Sequence, residues 1–189
     1  MYEGTDTVIL YEELAYEDVL PLFWRPHAGP LDPVVVSSFS ERNLHVLQAC
    51  AAIEEHGQQE KNDDTSPVAA EILRLDLKVN LLLDLVGQLV VANHPRPPAV
   101  PVRFNALGAT WKAPGATMQP GSEGVLEIYL RDSLPQPLRL LGRITAVEPE
   151  GKIKARFIPP SETISDLIEK LAFRRHRRQI AGARQARRP

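Results

Sequence analysis

Between Ser66 and Pro95 one apolar pattern constrains this chain more than any other. Val68, Ile72, Leu75, Val79, Leu82, Val86 and Leu89 follow one another at steps of 4, 3, 4, 3, 4 and 3, which is the a/d seam of a coiled coil sustained for three heptads. Ser66 and Pro67 open the helix, because serine can cap a free amide and proline at the first helical position loses only an unpaired one. Pro95 marks where it must have stopped. Leu73, Leu77, Leu81 and Leu85 form a further apolar row on an adjacent face. A helix in a small monomer usually needs a single stripe. One stripe is therefore expected to pack on the preceding helix or the domain and the other on a second copy, giving a homo-oligomer. The alternative is one wide stripe buried inside a monomer. β-branched residues at 68, 72, 79 and 86 with Leu at 75, 82 and 89 favour two parallel strands, and the further row can recruit more helices.

Upstream, residues 1–39 carry Pro21, Pro26, Pro30 and Pro33 with short β-prone runs at Val8–Tyr11 and Val34–Ser37, and read as an arm or a pair of strands. Ser40 offers an N-cap, and Leu44, Leu47 and Ala51 continue a helical period until Gly57. The polar, acidic stretch to Thr65 joins this helix to the next.

After Pro95–Pro101 the period changes from 3.6 to 2. Strands are expected at Val100–Phe104, Ala109–Lys112, Gly124–Leu130, Leu138–Val147 and Ile153–Ile158, punctuated by Pro114-Gly115, Pro120-Gly121, Leu134-Pro135 and Glu150-Gly151. Five or six short strands with tight turns make a small closed or half-closed barrel. In the third of them Leu126, Ile128 and Leu130 alternate with Val125, Glu127 and Tyr129, so the Leu face looks inward. Ser161 and Glu162 then precede Ile164, Leu167, Ile168, Leu171 and Ala172, an amphipathic helix that should pack on the barrel. It runs into Phe173-Arg-Arg-His-Arg-Arg178, where cations suit a helix C-terminus, with fraying expected beyond Gly182.

With aromatics at 6% and 17 prolines, the core is expected to be aliphatic and the connections stiff. The net charge of -2 conceals two poles. Thirteen acidic residues face only Arg25, Arg42 and Lys61 up to Thr65, whereas Arg174–Pro189 holds seven arginines and no acid. Such poles suit docking between ends or subunits, with solvated faces as the plain alternative. Cys50 is the only cysteine, which removes internal disulfides and cysteine zinc sites. It lies among alanines in a helical pattern and reads as a small buried thiol. Histidines 27, 45, 56, 94 and 176 lack metal-ligand spacing, and there is no H-E-x-x-H, G-x-S-x-G or P-loop. A non-enzymatic protein without metal or cofactor is expected. The start lacks a signal peptide's basic and apolar regions, and Val79–Ala92 contains Asp84 and falls short of the roughly 20 residues of a spanning helix. A cytoplasmic location follows.

The order Arg103-Phe-Asn-Ala-Leu-Gly108, turn, Pro120-Gly121, strand, strand, Gly151 with Phe157, then a helix ending in Arg174-Arg-His-Arg-Arg178 resembles the PilZ domain. The heptad helix before it looks like the family's atypical, tetramer-forming branch. The resemblance implies an α+β fold: a six-stranded PilZ-type β-barrel with a preceding long helix and a C-terminal amphipathic helix. It divides the chain into an acidic, Pro-rich arm (1–39), a helical hairpin carrying the oligomerisation helix (40–94), a barrel (95–160) and a C-terminal helix with an Arg-rich tail (161–189).

PilZ domains are bacterial receptors for cyclic di-GMP, so the resemblance implies that nucleotide as ligand and a signalling role in motility, pilus function or virulence through a protein partner. The family holds the nucleotide with an R-x-x-x-R motif before the barrel and a [DN]-x-S-x-x-G motif on an early strand. Aligned on Gly108, Asn105 stands where serine is expected and Arg103 where the acidic or amide residue is expected, while Arg96 has no arginine four residues away. Guanidinium pairs bind phosphate bidentately and stack on guanine, so binding through Arg96, Arg103, Asn105 and Gly108 is expected to be weakened or lost. A protein-binding adaptor independent of nucleotide is the rival reading. Nucleic-acid binding through the terminal arginines is the poorer one, because no aromatic interleaves them after Phe173.

Overall fold

The computed structural model describes residues 14–29, 31–59, 67–93, 95–113 and 118–185. The expected strand at Val8–Tyr11 and the turn at Pro114-Gly115 lie outside these residues. The elements run β1 (Tyr16–Pro26), α1 (Pro33–Gln59), α2 (Pro67–Asn93), β2 (Ala99–Phe104), β3 (Gly108–Lys112), β4 (Glu123–Ile128), β5 (Leu138–Val147), β6 (Lys152–Phe157) and α3 (Glu162–Gln185). The strands close an antiparallel barrel in the order β1-β2-β3-β6-β5-β4.

Tyr16–Pro26, inside the segment expected to be an arm, is the strand that closes the barrel. Its first half pairs with β2 (Glu17↔Arg103, Val19↔Pro101) and its second half with β4 (Phe23↔Glu127). Pro21 sits at the hand-over, where its missing amide does least harm, and its carbonyl accepts the Tyr129 amide at 3.0 Å. Val34–Ser37, expected as a strand, is the first turn of α1. Asp32 is the true cap, its carboxylate accepting the Val34 amide at 2.8 Å just before Pro33. This is the capping chemistry read at Ser66-Pro67, and it outweighs the β-propensity of three valines. At the other end α3 continues past Gly182 to Gln185.

The inward positions are Leu20, Leu22, Trp24, Val102, Phe104, Trp111, Leu126, Ile128, Leu138, Leu140, Ile144, Ile153 and Phe157, all buried. The core is not purely aliphatic as expected, because both tryptophans stack inside the barrel with ring centroids 6.0 Å apart. A Cβ on Gly124 would lie 2.5 Å from the Trp24 ring, so the indole fits only because this strand position lacks a side chain.

A second apolar layer lies outside the barrel, with Val46, Leu47 and Cys50 of α1 buried alongside Ile164, Ile168, Leu171 and Ala172 of α3. Asn43 fixes α1 to β5 with an amide that both donates to the Arg139 carbonyl (2.6 Å) and accepts from the Arg139 amide (2.8 Å). It replaces a strand partner where β6 does not reach. Asn43→Ala orphans two part-buried backbone groups and is expected to cost about 2 kcal/mol, read as a lowered midpoint in urea with unchanged slope.

The long helix departs from expectation. Neither apolar row of α2 is covered by the described residues of its own chain, whether on the seam (Val68, Ile72, Leu75, Val79, Leu82, Val86, Leu89) or on the adjacent face (Leu73, Leu77, Leu81, Leu85). The preceding helix α1 spends its apolar face on α3 and the barrel. Among the residues of α2 whose burial is described, Gly87 alone is buried, against the backbone of Asp132 and Ser133.

Candidate functional site

The four residues expected to hold nucleotide are each engaged inside the fold. Arg96 follows α2, and its guanidinium closes on the loop after β4. It donates to the carbonyls of Arg131 (3.2 Å), Asp132 (2.9 Å) and Leu134 (2.8 Å) and to the Asp132 carboxylate (3.1 Å). Its side chain is 10% exposed and lies over the Tyr129 ring at 5.2 Å. The planar fork is used here as a loop clamp that joins the end of α2 to the barrel.

Arg103 faces outward from β2 and pairs with Glu17 of β1 at 3.3 Å. Asn105 is buried in the β2–β3 turn. Its side-chain oxygen accepts the amides of Leu107 (2.9 Å) and Gly108 (3.1 Å), and its backbone amide donates to the Gly108 carbonyl (3.0 Å). Such an Asx arrangement is what a short polar side chain does at a tight turn. Gly108 then begins β3 opposite Arg156. Arg103, Asn105 and Gly108 are thus close along one hairpin, while Arg96 is held to the loop at 131–134.

Beside Arg103 lies a groove of about 510 Å³, whose charged lining comprises Glu17, Asp18, Glu148 and Glu150 against Arg103, Lys112 and Lys152. Several of these charges are paired: Asp18 with Arg175 of α3 at 2.7 Å and Glu148 with Lys154 at 2.6 Å. The hydrogen bond from Lys154 holds the Glu148 carboxyl below the usual carboxylate range. Glu17, Asp18 and Glu148 are thus each neutralised by a cation, and a dianionic nucleotide entering here would have to displace Glu17 to reach Arg103. The Asp18–Arg175 pair also joins the acidic and basic poles of the sequence within one chain.

Sequence reasoning missed Glu17 and Asp18, because the signal that pairs them with Arg103 and Arg175 is strand register rather than local spacing. Among the described residues, no group of three His, Cys, Asp or Glu could hold a metal ion, and no helix is long and apolar enough to cross a membrane.

A family model described as the atypical PilZ domain, cyclic di-GMP receptor, matches residues 47–185. Among solved structures, the chain is similar to a pathogenic protein from Xanthomonas campestris, a tetrameric PilZ domain self-assembled via an unusual helical bundle. The two share 26% identity with a TM-score of 0.72, over 94% of this chain and 99% of that one. No curated protein matches the sequence.

Proposed function

The chain belongs to the atypical PilZ domain family of cyclic di-GMP receptors, and from that premise we propose that it is a tetrameric, non-enzymatic signalling module of the cytoplasm whose own grip on the nucleotide is weakened or lost. The observation that carries this reading is the engagement of the motif residues within the fold. Arg96 is spent on the 131–134 loop, Arg103 faces Glu17, and Asn105 closes its own turn. Binding phosphate would require Arg103 to exchange its Glu17 partner for another anion, so little net free energy is gained. The module then acts through protein contacts in the cyclic di-GMP pathway.

The homo-oligomer rests on α2. Four copies can turn both its apolar rows inward as a bundle, as two copies cannot. The similar Xanthomonas protein, a tetramer assembled through a helical bundle, supports the same arrangement here.

Calorimetric titration with cyclic di-GMP, with mass by light scattering on the same sample, tests the reading. The expected result is a folded tetramer giving no saturable heat at micromolar nucleotide. Saturable heat that Arg103→Ala abolishes would overturn the loss of binding and make the protein a receptor with a rebuilt site.

A further inference from the structure

Gly87 within α2 and Arg96 just beyond its end grip the same short loop. Residues 131–134 lie in the connection from β4 to β5, and a turn bond from the Leu134 amide to the Arg131 carbonyl (3.2 Å) closes them. A Cβ on Gly87 would lie 3.2 Å from both the Asp132 carbonyl oxygen and the Ser133 Cα, so the helix rests on loop backbone where a side chain would crowd it. Glycine inside a helix is otherwise a weak choice, because it loses the most backbone freedom on folding. Further on, Arg96 donates to the carbonyls of Arg131, Asp132 and Leu134.

The hold of α2 on this loop depends on the helix staying ordered. A helix in a protein draws most of its stability from packing an apolar face, and within one chain both apolar rows of α2 are exposed. Where other copies cover those rows, Gly87 stays against the loop and Arg96 stays placed to fork across its carbonyls. Where nothing covers them, the last turns of α2 fray, the Gly87 contact opens and the loop loses the guanidinium that holds it. The loop has little burial to hold it otherwise, with Asp132 exposed and Arg131, Ser133 and Leu134 half-buried.

Building on the α2 reading, we propose that the 131–134 loop is a coupling joint, locked while α2 is held in the bundle and released when the helix is free. The barrel senses the assembly of the helix at this loop, and by linkage whatever seizes the loop weakens the bundle.

Hydrogen exchange of the full chain at short labelling times, followed by mass spectrometry, tests the joint, with light scattering giving the mass of each sample. The buried β3 peptide, Gly108–Lys112, stays protected in any folded variant and checks the fold. Replacing Leu75 and Leu82 by aspartate supplies the free helix. Residues 131–134 are expected to exchange about tenfold faster or more in that double variant than in the wild-type tetramer. Arg96→Ala leaves both apolar rows untouched and is expected to show the same fast exchange while still assembled. Equal loop exchange in the tetramer and in the folded, monomeric double variant overturns this proposal and leaves the α2 reading intact. So does an assembled Arg96→Ala variant whose loop exchanges at the wild-type rate. A double variant of unchanged mass, or a wild-type chain that is monomeric at tens of micromolar, overturns the α2 reading itself, and this proposal with it.

Discussion

Replacing Leu75 and Leu82 by aspartate is expected to take the assembly from tetramer to monomer at micromolar concentration. In the single chain these leucines are 55% and 61% exposed, so the change costs the isolated protomer little. In a bundle each site loses the burial of a leucine, about 1.5–3 kcal/mol, and gains a carboxylate without a partner, which adds several kcal/mol. Every copy bears both changes. The combined penalty is comparable with the whole free energy of a micromolar association, about 8 kcal/mol. Light scattering reads the mass, and circular dichroism verifies that the barrel persists. An unchanged mass would mean that α2 does not form the interface.

Arg96→Ala is expected to lower stability by about 2 kcal/mol, which for a chain of this length shifts the melting temperature by roughly 4–8 °C, while leaving the response to cyclic di-GMP unaltered. The substitution removes donors to three carbonyls and one carboxylate, together with the contact over Tyr129. Arg96→Lys restores only part of the loss, because an ammonium is a point charge and cannot fork across three acceptors. A variant with wild-type melting but altered nucleotide heat would return Arg96 to the ligand site.

The expected and observed elements differ in an instructive way. Five barrel strands lie within two residues of their expected ends, since alternation and turn residues are local signals. The sixth, β1, was hidden. Glu17, Val19, Pro21 and Phe23 alternate with Tyr16, Leu20, Leu22 and Trp24, but Pro21 and the acidic neighbours Glu17 and Asp18 gave the segment the look of an arm. Val34–Ser37 failed for the opposite reason. Its β-branched residues suggested a strand, while Asp32-Pro33 was already a helix start.

The candidate site was legible in its losses more than in its geometry. That the PilZ motifs are degraded follows from Arg103, Asn105 and the absent partner of Arg96. What those residues do instead required their surroundings, namely the 131–134 carbonyls, Glu17 and the backbone of the β2–β3 turn.

The sequence alone therefore determined the periods and the apolar rows of α2, because a helix or strand states its exposed and buried faces within a few residues. Only the tertiary structure decided that β1 closes the barrel, that Glu17 meets Arg103, that Trp24 uses the space above Gly124, and that α1 turns its apolar face to α3 and leaves α2 bare. Each of these is a pairing between segments distant in the chain, set by register and by competition for the same apolar surface, and neither quantity is carried by any local run of residues.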